Sequence, residues 1–375
     1  MRNVLEYLES SAQRFPDKIA VQDESSCCTY HEFLEKAKAI GTYLATKNVR
    51  NRPIAVLIDR NIESIVMFMG IVYSGNFYVP IDRTLPAKRI QTIFTTLDPA
   101  AVLALRSHEQ VFSGEYTVDM YEDMIECTPD DGKLSEIRQT AVDTDPLYSI
   151  FTSGSTGVPK GVLISHRGVI DLVEAFDKAF KFCENDIFGN QAPFDFDVST
   201  KDIYNALRHG ATIDVIPQKL FSFPVKLIEH LNERKVTVAI WAVSALCIIA
   251  NLRAMKKTKP ETLRQVMFSG EVLPIKVLNY WQDNLPDITY VNLYGPTEIT
   301  CNCTYFPVNR RFELTEALPI GKAFDNTEVF LLDDNDELPE KGKPGELCVR
   351  GSCLALGYYN SPEKTAEVFV QNPLN

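Results

Sequence analysis

From residue 29 onward, short apolar runs alternate with longer amphipathic ones, and this alternation limits the chain to very few architectures. The short runs are IAVLI at 54–58, YVPI at 78–81, AVLAL at 101–105, TIDVIP at 212–217, TVAIW at 237–241, VMFSG at 266–270 and YVNLYG at 290–295. Each is apolar at nearly every position, so both faces of the strand it predicts must be covered. Between them lie helix patterns. Thr29 and Glu32 form a capping box ahead of Phe33, Ala37, Ile40 and Leu44, which share one helical face. Further helices are expected from Ile62 to Tyr73, opening at Pro86, and over residues 168–180. The predicted fold is therefore α/β, with parallel sheets covered by helices. Residues 105–145 are more polar and read as a surface connection. After residue 305 the texture changes to short strands between DN, PEKG and KPG turns, which predicts a small β-barrel-like unit. The expected domains are an α/β core over residues 1–305, made of two sheet subdomains with an open boundary, and a β-rich unit over 306–375. The final FVQNPLN ends without a helix cap or closing strand, so the chain looks cut.

Charge and cysteine content remove several classes of function. A net charge of −12 argues against binding a nucleic-acid backbone, which relies on clustered Lys and Arg. Nine cysteines are irregularly spaced, none in a CxxC pair and none at zinc-ligand spacing from a histidine, so reduced thiols in a cytoplasmic protein are expected. The amphipathic N-terminus lacks the apolar core of a signal peptide. No run reaches the roughly 20 apolar residues that a membrane-spanning helix needs.

One stretch is not explained by packing. YSIFTSGSTGVPKGV, residues 148–162, leaves an apolar strand for six small residues and ends on a lysine. Its glycines cost backbone entropy and bury nothing. Main-chain amides in such a turn can converge on phosphate oxygens, with hydroxyls and a nearby lysine adding donors. The loop reads as a triphosphate cradle. It is not a Walker loop, because Lys160 follows Pro159 and precedes a glycine; no GxGxxG or GxSxG motif occurs either.

Other short motifs accompany it: TYHEF at 29–33, YVPID at 78–82, FDVS at 196–199, SGEV at 269–272, NLYGPTE at 292–298, and GEL at 345–347 with GYY at 357–359. With TSGSTGVPKG at 152–161, and in this order, they resemble the adenylate-forming enzymes along essentially the whole chain. Within these, they resemble the amino-acid-activating adenylation domains of nonribosomal peptide synthetases and the D-alanine–carrier-protein ligases.

The resemblance implies attack of a substrate carboxylate on the α-phosphorus of ATP, with release of pyrophosphate, and loading of the acyl group onto a phosphopantetheinyl carrier protein. Thr152, Ser153, Gly154, Ser155, Thr156, Gly157 and Lys160 would hold the β- and γ-phosphates. Gly270, Glu271, Asn292, Tyr294, Gly295 and Thr297 would complete the ATP site, with Tyr294 stacked on adenine. Glu298 would bind Mg²⁺, and Thr297, Glu298 and Lys160 would act on the reacting phosphate. Asp197 stands among apolar neighbours, where an unpaired charge is costly and a substrate α-ammonium would neutralise it. An amino-acid substrate follows; the other reading of Asp197 is a helix N-cap.

The same alignment lines the side-chain pocket with Val198, Lys201, Trp241, Met267, Ser269, Leu293, Cys301 and Asn302. Trp241 would leave room for alanine or serine. Lys201 is expected on a solvated helix face; pointing inward, it would invite a carboxylate side chain. His166 is expected to be structural or secondary. QAP at 191–193 and SGEVLP at 269–274 are particularly similar to the D-alanine ligases, which leaves the substrate open. The family's mobile C-terminal domain, with its ribose-binding aspartate and its lysine, is not matched, so the chain alone is expected to adenylate slowly. Rival readings are an acyl-CoA-forming ligase for a non-amino acid, a non-catalytic nucleotide-binding module and a kinase-type phosphotransferase.

Overall fold

In the computed structural model, which describes residues 1–111, 116–152 and 159–374, the alternating runs build two large sheets. The nine-stranded sheet runs from Lys322–Ala323 at one edge through Thr304–Pro307, Thr289–Tyr294, Gln265–Ser269, Val238–Ala242, Ile187–Asn190, Thr212–Val215 and Ile19–Gln22 to Cys27–Thr29. The seven-stranded sheet runs from Gly357–Tyr358 through Lys160–Ser165, Pro146–Thr152, Phe77–Asp82, Pro53–Ile58 and Ala101–Ala104 to Val118–Met120. The inner strands of the nine-stranded sheet pair in parallel, and antiparallel pairing is confined to its edges.

Alternate residues of each strand enter different cores, which is why the runs are apolar throughout. Ile54, Val56 and Ile58 from one sheet and Val238 and Ile240 from the other share the largest core. The helices Leu5–Arg14, Tyr30–Ala45, Ile62–Tyr73, His166–Phe180 and Val198–His209 fill it between the sheets. Ala55 and Leu57 face outward, beneath Ala87–Leu97. Ala239 and Trp241 face outward, beneath Pro224–Glu233, Val243–Asn251 and Ile275–Asn284. The result is five layers, helix–sheet–helix–sheet–helix. The capping box forms as expected: Thr29 Oγ1 accepts from Glu32 N at 3.2 Å, and Thr29 N donates to Glu32 Oε2 at 2.8 Å.

Two boundaries differ from the sequence expectation. Residue 305 lies inside the Thr304–Pro307 strand, and strands C-terminal to it close edges of both large sheets. Only Thr327–Leu332 and Glu346–Gly351 form a separate two-stranded ribbon, so the barrel-like unit is not a closed body. Sheet edges carry unpaired amides and carbonyls, and these late strands satisfy them. In the polar connection, Val118–Met120 adds a parallel strand to Ala101–Ala104. Among the described residues no helix is long and apolar enough to cross a membrane.

His166 is buried at the start of its helix, where Val4 N donates to its Nδ1 at 3.4 Å. Burial, aided by Arg138, pulls the imidazole from 6.5 down to about 3, so it stays a neutral acceptor. The unfolded chain takes up this proton first as pH falls, so the contribution is complete above pH 6.5 and is lost below it. Urea midpoints at pH 7 and pH 5 should show the native protein losing ~2 kcal/mol more than a His166→Asn variant.

Candidate functional site

The strands Ile187–Asn190, Val238–Ala242, Gln265–Ser269 and Thr289–Tyr294 are parallel, so their carboxyl ends emerge together. The helix Val198–His209 begins at the same end. From the other sheet come the carboxyl ends of Phe77–Asp82 and Pro146–Thr152. A cleft of about 430 Å³ lies where the two sets meet, lined by Ile81, Asp82, Phe151, Thr152, Asp197 and Thr297 among others. Thr152, Asp197 and Thr297, expected for the nucleotide, the substrate and catalysis, thus line one cleft.

An arginine that sequence reasoning missed holds the two sets of strand ends together. Arg60 follows the Pro53–Ile58 strand and donates to the carbonyls of Gln191 at 2.8 Å, Asn190 at 2.9 Å and Ile216 at 3.1 Å, all at or just past strand ends of the other sheet. Burial pulls its guanidinium down to about 10, so it remains charged at neutral pH. Asn190 in turn donates its Nδ2 to Asp202 at 2.9 Å. Nothing in residues 59–61 distinguishes this arginine from a surface one; its acceptors lie more than a hundred positions away.

Asp197 occupies the N-cap position of its helix but its side chain makes no capping bond. The cap reading therefore does not hold. Burial pushes the carboxyl up, while the Thr297 side chain and the Lys201 charge hold it down. Such a carboxylate lacks a full counter-ion. Lys201, expected on a solvated face, is completely buried instead, with Nζ donating to Asn302 Oδ1 at 2.9 Å and to Ser269 Oγ at 3.3 Å. Met267, Leu293 and Cys301 are buried around the same point. Val198 is half-buried beside Asp197.

Trp241 does not join this pocket. Its indole donates to the Gly189 carbonyl at 2.7 Å on the outer face of the sheet, edge-on to Phe221. Ile240, paired in register with Met267, takes the inward position. Successive strand residues face opposite ways, so a one-residue misalignment exchanged them.

The loop expected to cradle phosphate joins two adjacent antiparallel strands, with Thr152 paired to Lys160. Ser153, Gly154, Ser155, Thr156 and Gly157 lie outside the described residues. Lys160 Nζ stands 4.7 Å from the ring centroid of Tyr358, and the hydroxyl of Tyr358 donates to Glu298 Oε1 at 2.8 Å. Burial and the neighbouring carboxylate push that phenol well above its usual range, so it is a firm donor. Lys160 and Glu298 meet through this one tyrosine, for which the sequence reading had no role. Tyr294 presents an exposed ring, and Gly270 and Glu271 stand in an exposed loop. Asn292 is largely buried and its amide donates to the Pro319 carbonyl at 2.8 Å. Gly295 is required: a Cβ there would lie 2.6 Å from Asn302 Cα. The neighbouring Thr300 and Cys301 take φ of 56° and 77°, a conformation rare for a β-branched residue and found where a site fixes its walls.

Open α/β proteins bind ligands in the crevice at the carboxyl ends of their strands, and this fold and cleft define the chain as one of them. The chain belongs to the AMP-binding enzyme family, whose model matches residues 8–359. It is 30% identical to tyrocidine synthase 1 of Brevibacillus parabrevis over 99% of its own length and 34% of that protein's. It is 31% identical to zwittermicin A synthase ZmaJ of Bacillus cereus, over 98% of this chain and 71% of that one. Among solved structures it superposes on the α-methyl-L-serine-AMP-bound form of the nonribosomal peptide synthetase FmoA3 with a TM-score of 0.92, at 26% identity, covering all of this chain and 42% of the other. The chain thus spans about a third of the length of tyrocidine synthase 1.

Replacing Arg60 with leucine should cost ~3 kcal/mol, because it leaves buried carbonyls on both sheet ends without a donor. Denaturant midpoints of the two proteins measure this directly.

Proposed function

We propose that the chain activates an α-amino acid as aminoacyl-AMP for transfer to a phosphopantetheinyl carrier protein. The observation that carries this reading is Asp197, a half-buried carboxyl without a full counter-ion, in one cleft with Thr152 and Thr297. The substrate's α-ammonium supplies the missing charge through hydrogen bonds to that carboxylate. Its own carboxylate oxygen then attacks the α-phosphorus of ATP; the bond to the β-phosphate oxygen breaks, and pyrophosphate leaves with that electron pair. Rate comes from positioning and from charge stabilisation at the phosphate. The synthetase relatives and the aminoacyl-AMP-bound FmoA3 form support the assignment.

Lys160, on the strand that follows the glycine-rich loop, faces the polyphosphate as a fixed cation. Thr297 adds a hydroxyl beside the reacting centre. Tyr294 offers the adenine an exposed aromatic face. Glu298 suits Mg²⁺, a hard cation commonly held by one or two carboxylates together with substrate phosphates. When bound, the cation neutralises charge on the polyphosphate. Tyr358 fixes the Glu298 carboxylate by donating to Oε1 and leaves the other oxygen for the metal. A cytoplasmic setting agrees with cysteines that are all free thiols.

Two measurements check these roles. ATP–pyrophosphate exchange with the best of the twenty amino acids and D-alanine should fall about 10- to 100-fold in kcat/KM for Asp197→Ala, since charge-assisted bonds are worth roughly 1.5–3 kcal/mol. Unchanged exchange would remove the amino-acid reading. Tyr358→Phe keeps the ring beside Lys160 but frees Glu298, and should raise the Mg²⁺ concentration for half-maximal exchange about 10-fold while changing kcat less.

A further inference from the structure

We propose that the amino acid selected by this chain carries an anionic side chain, received by Lys201, Ser269 and Asn302 at the floor of the pocket. The inference rests on the amino-acid-activation reading above and deepens it.

Three facts meet at Lys201. Its side chain has no surface exposed to bulk solvent. Its ammonium has three N–H groups, of which two are directed at neutral acceptors, Asn302 Oδ1 and Ser269 Oγ. None of the ion pairs among the described residues includes it within 4.0 Å. Buried charges are ordinarily paired.

The groups around it do not close this account. Cys301 lies beside both Lys201 and Asp197, but burial pushes its thiol up to about 12, so it remains neutral. Asp202 is next on the helix; burial pushes it up to about 7, while its bond from Asn190 and the charges of Lys201 and Arg60 hold it down, and it forms no ion pair with Lys201. Asp197, whose carboxyl also feels the Lys201 charge, belongs to the substrate's α-ammonium, and Glu298 belongs to the metal in the reading above. Once that ammonium is bound, Asp197 is committed to it, and no carboxylate among the described residues lies within 4.0 Å of Lys201. A side-chain carboxylate supplies that partner.

The hydrogen-bonding inventory agrees with the charge. Asn302 is buried, its Oδ1 accepts from Lys201, and its Nδ2 has no partner among the described residues. An inverted amide would set donor against donor, so Lys201 fixes its orientation. Ser269 accepts from Lys201 and keeps its own hydroxyl proton to give. Ammonium, amide and hydroxyl together are a donor set that a carboxylate satisfies and an alkyl group leaves unpaired. Met267, two positions before Ser269 on its strand, and Leu293, on the adjacent strand, are both buried and apolar and offer no competing acceptor.

The test is the affinity of the full chain for a panel of aminoacyl sulfamoyl adenosines, non-hydrolysable mimics of aminoacyl-AMP, read by calorimetry. The aspartyl or glutamyl compound should bind at least about 100-fold more tightly than the asparaginyl, seryl and alanyl compounds. Lys201→Met should erase that preference while Asp197 still secures the common α-ammonium. The unsubstituted chain decides the matter even if the variant folds poorly. Tightest binding by a neutral or cationic compound overturns the acidic side chain and leaves amino-acid activation standing. Binding of none of them overturns both.

Discussion

The Arg60 guanidinium is the contact on which the geometry of the cleft depends. It leaves the end of one sheet and saturates three carbonyls at the end of the other. The two sheets already share their largest core through the helices between them. A ligand site between two sheets needs something more: their strand ends must be held at a fixed separation by groups that tolerate being half-buried. A charged fork with several donors does this where an apolar contact could slide. The chain Arg60–Asn190–Asp202 carries that constraint to the helix bearing Lys201.

Much of the fold could be read from period alone. The helix Ile62–Tyr73 and the strands Pro53–Ile58, Gln265–Ser269 and Thr289–Tyr294 appear where apolar runs and caps placed them. Elements held by distant partners could not be read. Ile187–Asn190 is four residues long, and only its neighbours on either side make it a central strand. The Gly357–Tyr358 pair is two residues long and exists because Lys160–Ser165 offers a free edge.

The site divides along the same line. Asp197, Thr297, Glu298 and Lys160 stand out because a charged or hydroxyl residue in an apolar or glycine-rich setting calls for an explanation. Lys201 does not, since a lysine within a helix is ordinarily solvated; its buried acceptors, Ser269 at a strand end and Asn302 in a loop, come from far along the chain. Trp241 and Ile240 show a different limit. Composition cannot say which face of a strand a residue takes when both faces are apolar, and parity of a single position decides it. Tyr358 lies sixty residues from its partner Glu298, inside a motif whose only visible sequence feature is a turn.

The interleaving of the two sheets also sets an order of events for a chain leaving the ribosome. Ile19–Gln22 emerges early, yet its parallel partner Thr212–Val215 is translated nearly two hundred residues later. The nine-stranded sheet therefore cannot close while its N-terminal strands wait, and long-range parallel pairing of this kind is slow to nucleate. Gly357–Tyr358 pairs with Lys160–Ser165, which is translated nearly two hundred residues before it. A nascent chain stalled short of that hairpin partner has most of its hydrophobic interior in place, but the phenol that orients Glu298 has not yet arrived.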